Sequence, residues 1–223
     1  MMTQFLNSMD DEITLVNNFY FPKIGATNAA KQKSDWAEQP KQIASHSANK
    51  QVCIQAGGNV GYYTKVYADI FDTVYTFEPD PLNFFCLNKN VQNTNVIKFQ
   101  SCLGDSHELV SLALPASYVK KGINIGTYHI AGKGNIPTLL IDDLNLHLCD
   151  LIHLDIEGFE INAINGARKT ISKFYPTICL EINSALQNFK YSRDNVFRLM
   201  NDLEYQQIDQ INEDYIFKHR ARL

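Results

Sequence analysis

The chain has no run of apolar residues long enough to span a bilayer. Its opening, Met1-Met2-Thr3-Gln4-Phe5, lacks a basic segment followed by an apolar core. A cytoplasmic protein with no membrane partner is the expectation. Paired cysteines are also missing: Cys53, Cys86, Cys102, Cys149 and Cys179 are odd in number and dispersed, with no C-x-x-C among them. That argues against a zinc site and a disulfide framework, and all five read as reduced thiols. Nor is positive charge in excess. Lys and Arg number 20 against 24 Asp and Glu, for a formal net charge of −4, which disfavours a general nucleic-acid-binding surface. No internal repeat is visible. What is left is 223 residues of ordinary globular composition, enough for one domain with a full core and a short appendage.

The most informative stretch runs from Gln51 to Gly61. Val52 to Ile54 is short, apolar and β-branched, as in a strand buried on both faces of a parallel sheet. Gly57, Gly58 and Gly61 follow, and Tyr62 to Phe71 then carries apolar residues at helical spacing. Strand, glycine turn and helix open a doubly wound fold, with helix N–H groups and a positive dipole end facing a negative ligand. Gly57 suits a backbone that lies against the ligand with no Cβ between them. The glycine spacing of i, i+1 and i+4 differs from the G-x-G-x-x-G fingerprint. About twenty residues on, Val74 to Asp80 reads as a second strand ending at Glu78, where a carboxylate accepts hydrogen bonds from ribose hydroxyls. The plain alternative is a structural βαβ unit with an incidental acid.

Elsewhere the pattern alternates strand and helix. Asp10-Asp11-Glu12 suits the first turn of a helix reaching Phe19. Residues 1–45, with the aromatic run Phe19-Tyr20-Phe21 and the only tryptophan, Trp36, are expected to form an N-terminal lid or clasp ahead of a domain at 46–223. Asp80-Pro81 caps a helix running to about Gln92. Val96 to Phe99 is a third strand, leading to Ser101-Cys102-Leu103-Gly104-Asp105. Leu109 to Leu114 alternates as an added antiparallel strand. Gly122 to Gly134, with His129, reads as a loop near the mouth of the site. Ile136 to Ile141 is a short strand, and Asp142 caps a short helix after it. Leu151 to Asp155 is the fourth parallel strand and delivers Asp155, Glu157 and Glu160 at its end. Glu160 to Phe174 reads as one helix, Pro176 to Ile182 as a fifth strand carrying Glu181, and Ser192 to Leu203 as a capped helix. Tyr205 to Ile208 and Tyr215 to Phe217 close the chain as a hairpin. In such sheets ligands lie beyond the carboxyl ends of the strands, where Gly57, Glu78, Asp105 and Asp155 converge.

The segments V-x-x-x-x-G-G-N-V-G-Y-Y-T from Val52, Y-T-F-E-P-D-P-x-N-F from Tyr75, L-G-D at Leu103, D-D-L at Asp142, L-I-H-L-D-I-E-G-F-E from Leu151 and L-E-I at Leu180 resemble the FkbM family of S-adenosylmethionine (SAM)-dependent methyltransferases. The resemblance covers about Gln51 to Glu181, with a tail to Phe217. It implies an α/β, Rossmann-like class I methyltransferase fold: a mostly parallel seven-stranded sheet, a C-terminal antiparallel hairpin and helices on both faces. It implies SAM as cofactor, held by Gln55, Ala56, Gly57, Gly58, Asn59, Gly61, Tyr62, Tyr63, Glu78, Pro79, Cys102, Leu103, Asp105 and Asp155, with Asp105 accepting from the adenine amino group. One departure stands out: the family usually has an acid where this chain has Gln55. The amide keeps an acceptor without the charge, so Gln55→Glu is expected to keep or improve SAM binding, unless the amide instead ties the glycine turn.

The activity implied is methyl transfer to a hydroxyl of a sugar or other small hydroxylated acceptor, with Asp155, Glu157 and Glu181 positioning it or acting as base. The plain reading of these acids is that they stabilise a helix N-terminus. No ligand spacing demands a metal. His129 is either a base on a loop or a surface histidine, and His153 packs in mid-strand. A nucleic-acid methyltransferase is the runner-up, but N-P-P-Y, D-P-P-Y and a lysine pair flanking Asp155 and Glu181 are all missing. A catalytically silent SAM-fold module is the third reading, favoured by Gln55 alone. The acceptor and the oligomeric state stay open.

Overall fold

The computed structural model describes residues 9–24, 37–114 and 127–223. Trp36 lies outside these. Strands β1 (Ile13–Val16) and β2 (Phe19–Pro22) pair antiparallel, where the sequence suggested a helix. Asn17 and Asn18 both take positive φ, 54° and 65°, and two such residues in a row make a tight hairpin turn whose twist suits the flanking strands. That turn and the β-branched and aromatic residues beside it override the acidic helix signal.

The central βαβ run follows. Helix α1 (Glu38–Ser45) precedes β3 (Val52–Ala56), α2 (Tyr62–Ala68), β4 (Thr73–Phe77), α3 (Pro81–Asn90) and β5 (Val96–Phe99). Asp80 caps α3, accepting from the backbone N–H of Leu82 and Asn83. A small second sheet comes next: β6 (Cys102–Leu103), β7 (Leu109–Ala113), β8 (His129–Lys133) and β9 (Ile136–Leu139), in the order β6-β9-β7-β8. The described part of the expected 122–134 loop is therefore largely strand. Then come β10 (Leu151–Leu154), α4 (Glu160–Asn165), α5 (Arg168–Phe174), β11 (Thr177–Glu181), α6 (Arg193–Asp202), β12 (Tyr205–Ile211) and β13 (Asp214–His219).

The main sheet has seven strands in the order β12-β13-β11-β10-β3-β4-β5. Strands β11, β10, β3, β4 and β5 are parallel, and β13 runs antiparallel between β11 and β12. This is the mostly parallel seven-stranded sheet that the resemblance implies, mixed only through its closing hairpin. Strand β3 pairs with β4 on one side and β10 on the other, so the chain reverses its winding there and leaves a crevice at the carboxyl ends.

Strand alternation divides the core into two layers. Ile54, Ile152 and Ile178 pack with α4, α5 and α6, whereas Cys53, Leu151 and Cys179 pack with Ile43 of α1 and Tyr67 of α2. All five cysteines are buried and free. The expected single helix over 160–174 is broken into α4 and α5 at Gly166 and Ala167, and a Cβ at Gly166 would fall 2.0 Å from the carbonyl oxygen of Gly104. Asp142 lies within a short 3₁₀ turn, Ile141–Leu144, that it does not cap, and spends its carboxylate on α5, accepting from Lys169 N at 3.0 Å and Thr170 N at 2.8 Å. The β1–β2 hairpin packs outside the glycine turn. Phe19 stacks on Tyr62 at 4.0 Å, and the Asn90 amide donates to the carbonyls of Tyr20 and Val60. No described helix is long and apolar enough to cross a membrane.

Candidate active site

The glycine turn is held from below. Gly57 N and Gly58 N both donate to the carbonyl of Phe77, at 3.1 and 2.9 Å. Gly57 has φ +83°, and a Cβ built on it would lie 1.9 Å from the carbonyl oxygen of Asp155. The sequence suggested that glycine keeps this space clear for ligand; the structure puts the end of β10 there. Gln55 is a second correction. It is 1% exposed, donates from Nε2 to the carbonyl of Gly57 at 2.9 Å, and accepts at Oε1 from Thr76 Oγ1 (2.6 Å) and Thr64 Oγ1 (2.9 Å). Its position on β3 turns it toward α2, so it ties the turn and does not face the crevice. Gly58 and Gly61 pack closely on Leu87 and Val91 of the α3 region. The rings of Tyr62 and Tyr63 go to Phe19 and His153. These four, with Gln55, shape the turn without lining the crevice.

The crevice itself encloses about 270 Å³. Ala56, Gly57 and Asn59 form one wall, followed by Glu78 and Pro79, then by Cys102 and Leu103. Glu78 is 6% exposed. Its two oxygens accept from Asn59 N at 2.7 Å and Asp80 N at 2.8 Å. Burial pushes its carboxyl up to about 8, although those N–H groups and the Asn83 side chain pull the other way. Asp105 is not part of this group. Gly104 N binds the carbonyl of Leu139 and turns the chain aside, so Asp105 is exposed, accepts from Asn162, and borders a separate depression beyond Phe159.

Some lining residues were not expected. Asn83 stands in the P-x-N-F run and Ser101 directly before Cys102, so both were close to the motifs. Leu112 and Ile130 come from β7 and β8 of the small sheet, and Tyr128 directly precedes β8. Tyr128 and Ile130 flank His129 at a period of two, a signal that a strand reading of this segment would have used. Ser101 Oγ is buried with no hydrogen-bond partner. An orphaned hydroxyl beside a buried carboxylate suits the polar edge of an adenosyl group.

At the far end stand Asp155, Glu157 and Glu181. A tight turn presents them: Glu157 has φ 55° and Gly158 φ 101°, and a Cβ on Gly158 would meet the Ala185 carbonyl oxygen at 2.3 Å. Glu160 is 1% exposed and holds the turn by accepting from Ile156 N and Gly158 N at 3.0 and 3.3 Å. Asp155 and Glu181 stand side by side here, and burial together with their mutual repulsion holds both above the usual carboxylate range, so the pair retains a proton. Glu157 is pushed up to about 8 by burial and then by Asp155. Oxygens of the three acids lie within 4.8 Å of one another. With a proton shared by two of them, the group is arranged as an acid–base pair with Glu157 beside it.

A model of the methyltransferase FkbM domain matches residues 55–207. Among solved structures, the chain is similar to a methyltransferase FkbM from Methylobacillus flagellatus KT, at 16% identity and TM-score 0.49, over 87% of this chain and 57% of that one. It is also similar to M. jannaschii TYW2 in complex with AdoMet, at 14% identity, TM-score 0.43, and 93% and 85% of the two chains. A precorrin-6y C5,15-methyltransferase from Geobacter metallireducens GS-15 matches at 12% identity, TM-score 0.49, over 93% of both chains. The chain thus spans a little over half the length of the first of these. No match is found among curated proteins.

Proposed function

Because the chain belongs to the FkbM methyltransferase family, we propose that it carries a methyl group from SAM to a hydroxyl of a sugar or another small hydroxylated acceptor. The observation behind this is the placing of carboxyl groups along one crevice, Glu78 on one side and Asp155, Glu157 and Glu181 on the other. SAM, when bound, supplies a methyl already activated on a sulfonium. The chain's own tasks are positioning and proton handling. Glu78 would hold the ribose: each oxygen is fixed by one backbone N–H, the Asn83 side chain takes a further position, and one is left for a hydroxyl. Ser101 would meet a polar atom of the nucleoside, with Cys102 and Leu103 as the apolar wall. At the acceptor end, the deprotonated member of the Asp155–Glu181 pair would accept the proton of the acceptor hydroxyl. Its partner keeps the shared proton and the orientation, and Glu157 accepts from a neighbouring hydroxyl.

The crevice charge bears on the runner-up. None of the described residues lining it is Lys or Arg, so a phosphate backbone would meet carboxylates alone. The silent-module reading loses its one support, since Gln55 serves the turn. Calorimetric titration with SAM, followed by a mass-spectrometric acceptor screen scoring the gain of one methyl, tests the proposal. A chain that does not bind SAM overturns it, and methyl gain confined to nucleic acid overturns the acceptor class.

A further inference from the structure

A second polar group lies beneath the acid end of the crevice, and the chemistry above does not touch it. His153 and Asp155 are two residues apart on one line of β10, so both side chains leave the same face of the sheet. Cys179 and Glu181 repeat this on β11, and Asp214 of β13 is the register partner of Glu181. His153 is fully buried. Its Nδ1 is 2.9 Å from Tyr67 Oη and its Nε2 is 3.5 Å from Asp214 Oδ1. The Tyr63 ring stacks on it at 5.5 Å. Asp214 is 6% exposed, and its other oxygen accepts from Gln39 of α1.

The groups around His153 can be named element by element. Tyr63 and Tyr67 come from α2, Cys179 from β11, Asp214 from β13 and Asp155 from its own strand, while Gln55, its register partner on β3, is uncharged. Around the carboxyl pair itself stand Glu157, Glu160 and Glu213. A leucine would fill the volume at 153 without the desolvation that a buried His beside a buried Asp entails. The two polar groups also act on the crevice with opposite sign. A carboxylate at 214 opposes ionisation of Asp155, whereas a protonated imidazole at 153 would favour it.

We propose that His153, hydrogen-bonded to Tyr67 and with its unpartnered Nε2 facing Asp214, is a positioning residue that sets the proton occupancy of the Asp155–Glu181 pair. The inference rests on reading that pair as the acid–base group of a methyltransferase. His153 does not reach the acceptor; it acts through the field beneath the pair and through the ring of Tyr63. Coupling of this kind is reciprocal, so the pair must also report on His153.

The test uses the full chain, labelled with ¹³C at the Asp and Glu carboxyl carbons and at the His ring, and titrated by NMR without cofactor or acceptor. His153→Asn keeps an acceptor toward Tyr67 and removes the nitrogen facing Asp214. Asp214→Asn keeps the shape and removes the charge. The pair's midpoint should rise by about 0.5–1 pH unit in His153→Asn and fall by about as much in Asp214→Asn. General loosening admits water and moves both variants downward, so opposite displacements are the signature. Two shifts of the same sign, or none, overturn the inference. Should a variant not fold, the wild-type chain decides: the His153 ring signal must step at the pair's midpoint, and a flat signal overturns it. A failed SAM titration in calorimetry would sink the methyltransferase reading and leave these midpoints in place, so the two failures are distinguishable.

Discussion

Gln55→Glu separates two roles for the residue where the family pattern breaks. At this site the amide donates to Gly57 O and accepts from two threonine hydroxyls. An ionised carboxylate keeps both hydroxyls but presents an oxygen to a carbonyl oxygen, leaving a buried acceptor unpaired at a cost of about 1–3 kcal/mol before its own desolvation. A protonated carboxyl escapes this, because its O–H replaces the lost N–H. Holding that proton at pH 7 costs about 1.4 kcal/mol per unit above an unfolded value near 4.3, or about 3.7 kcal/mol. The penalty is therefore about 2–3.7 kcal/mol at pH 7 and falls below about 1 kcal/mol near pH 5. The sign follows from a folded value raised above the unfolded one: nothing is lost below about pH 4.3, and the loss grows as pH rises toward the folded value. For a chain of this size the melting temperature should drop by about 5–15 °C relative to wild type at pH 7 and by only a few degrees at pH 5. Thermal unfolding of both chains, followed by circular dichroism across this range, reads the difference with other titrations cancelling. A variant as stable as wild type at pH 7 that also binds SAM more tightly would refute the turn-tying role and return Gln55 to the crevice.

Three further outcomes follow from the crevice. Glu78→Ala should weaken SAM binding by about 2- to 12-fold in calorimetry, the loss of a hydrogen bond worth about 0.5–1.5 kcal/mol; unchanged affinity removes the ribose role. Gly57→Ala should cost more than about 3 kcal/mol in urea unfolding, because φ is +83° and its Cβ would lie 1.9 Å from Asp155 O, and a wild-type midpoint would show that the turn can relax. The cofactor-free chain should lose thermal stability as pH rises from about 5 to 8. Glu78 and Glu157, at about 8, and Glu160, at about 7, keep protons that the unfolded chain has already released. A calorimetric series in which stability climbs over that range would contradict the burial of these acids.

The acid end was legible in the sequence because its residues belong to strand ends, and strand ends follow from short apolar runs with turn residues after them. Leu151 to Asp155, Pro176 to Ile182 and Val74 to Asp80 read as strands for that reason, and the strands observed are Leu151–Leu154, Thr177–Glu181 and Thr73–Phe77. Side-chain direction one step earlier was not legible. Gln55 faces away from the crevice because Thr64 and Thr76, 9 and 21 residues away, supply its donors, and no local pattern announces that pairing. Asp105 was misplaced for a similar reason: the bond from Gly104 to Leu139 belongs to a small sheet whose strands are far apart in the chain. The hairpin at Ile13–Pro22 was hidden by the acids before it, since the deciding signal, two asparagines at positive φ, is weaker in sequence than Asn-Gly. The partnership of His153 with Asp214 spans 61 positions and depends on where β13 enters the sheet.

That entry point also orders events during synthesis. Strand β13 lies inside the sheet, yet its residues come off the ribosome after those of the edge strand β12. Until residue 219 has emerged, β11 has no neighbour on one side, and a strand in that state offers open backbone groups to any passing chain. Glu181 is then a surface acid with neither Asp214 beside it nor a layer sealed beneath it. The glycine turn and Glu78 have by that time long been made. At ordinary elongation rates the gap between the two is on the order of ten seconds. The nascent protein therefore carries Glu78 and the glycine turn well before it carries Asp214, the residue that gives Glu181 its neighbour in the sheet.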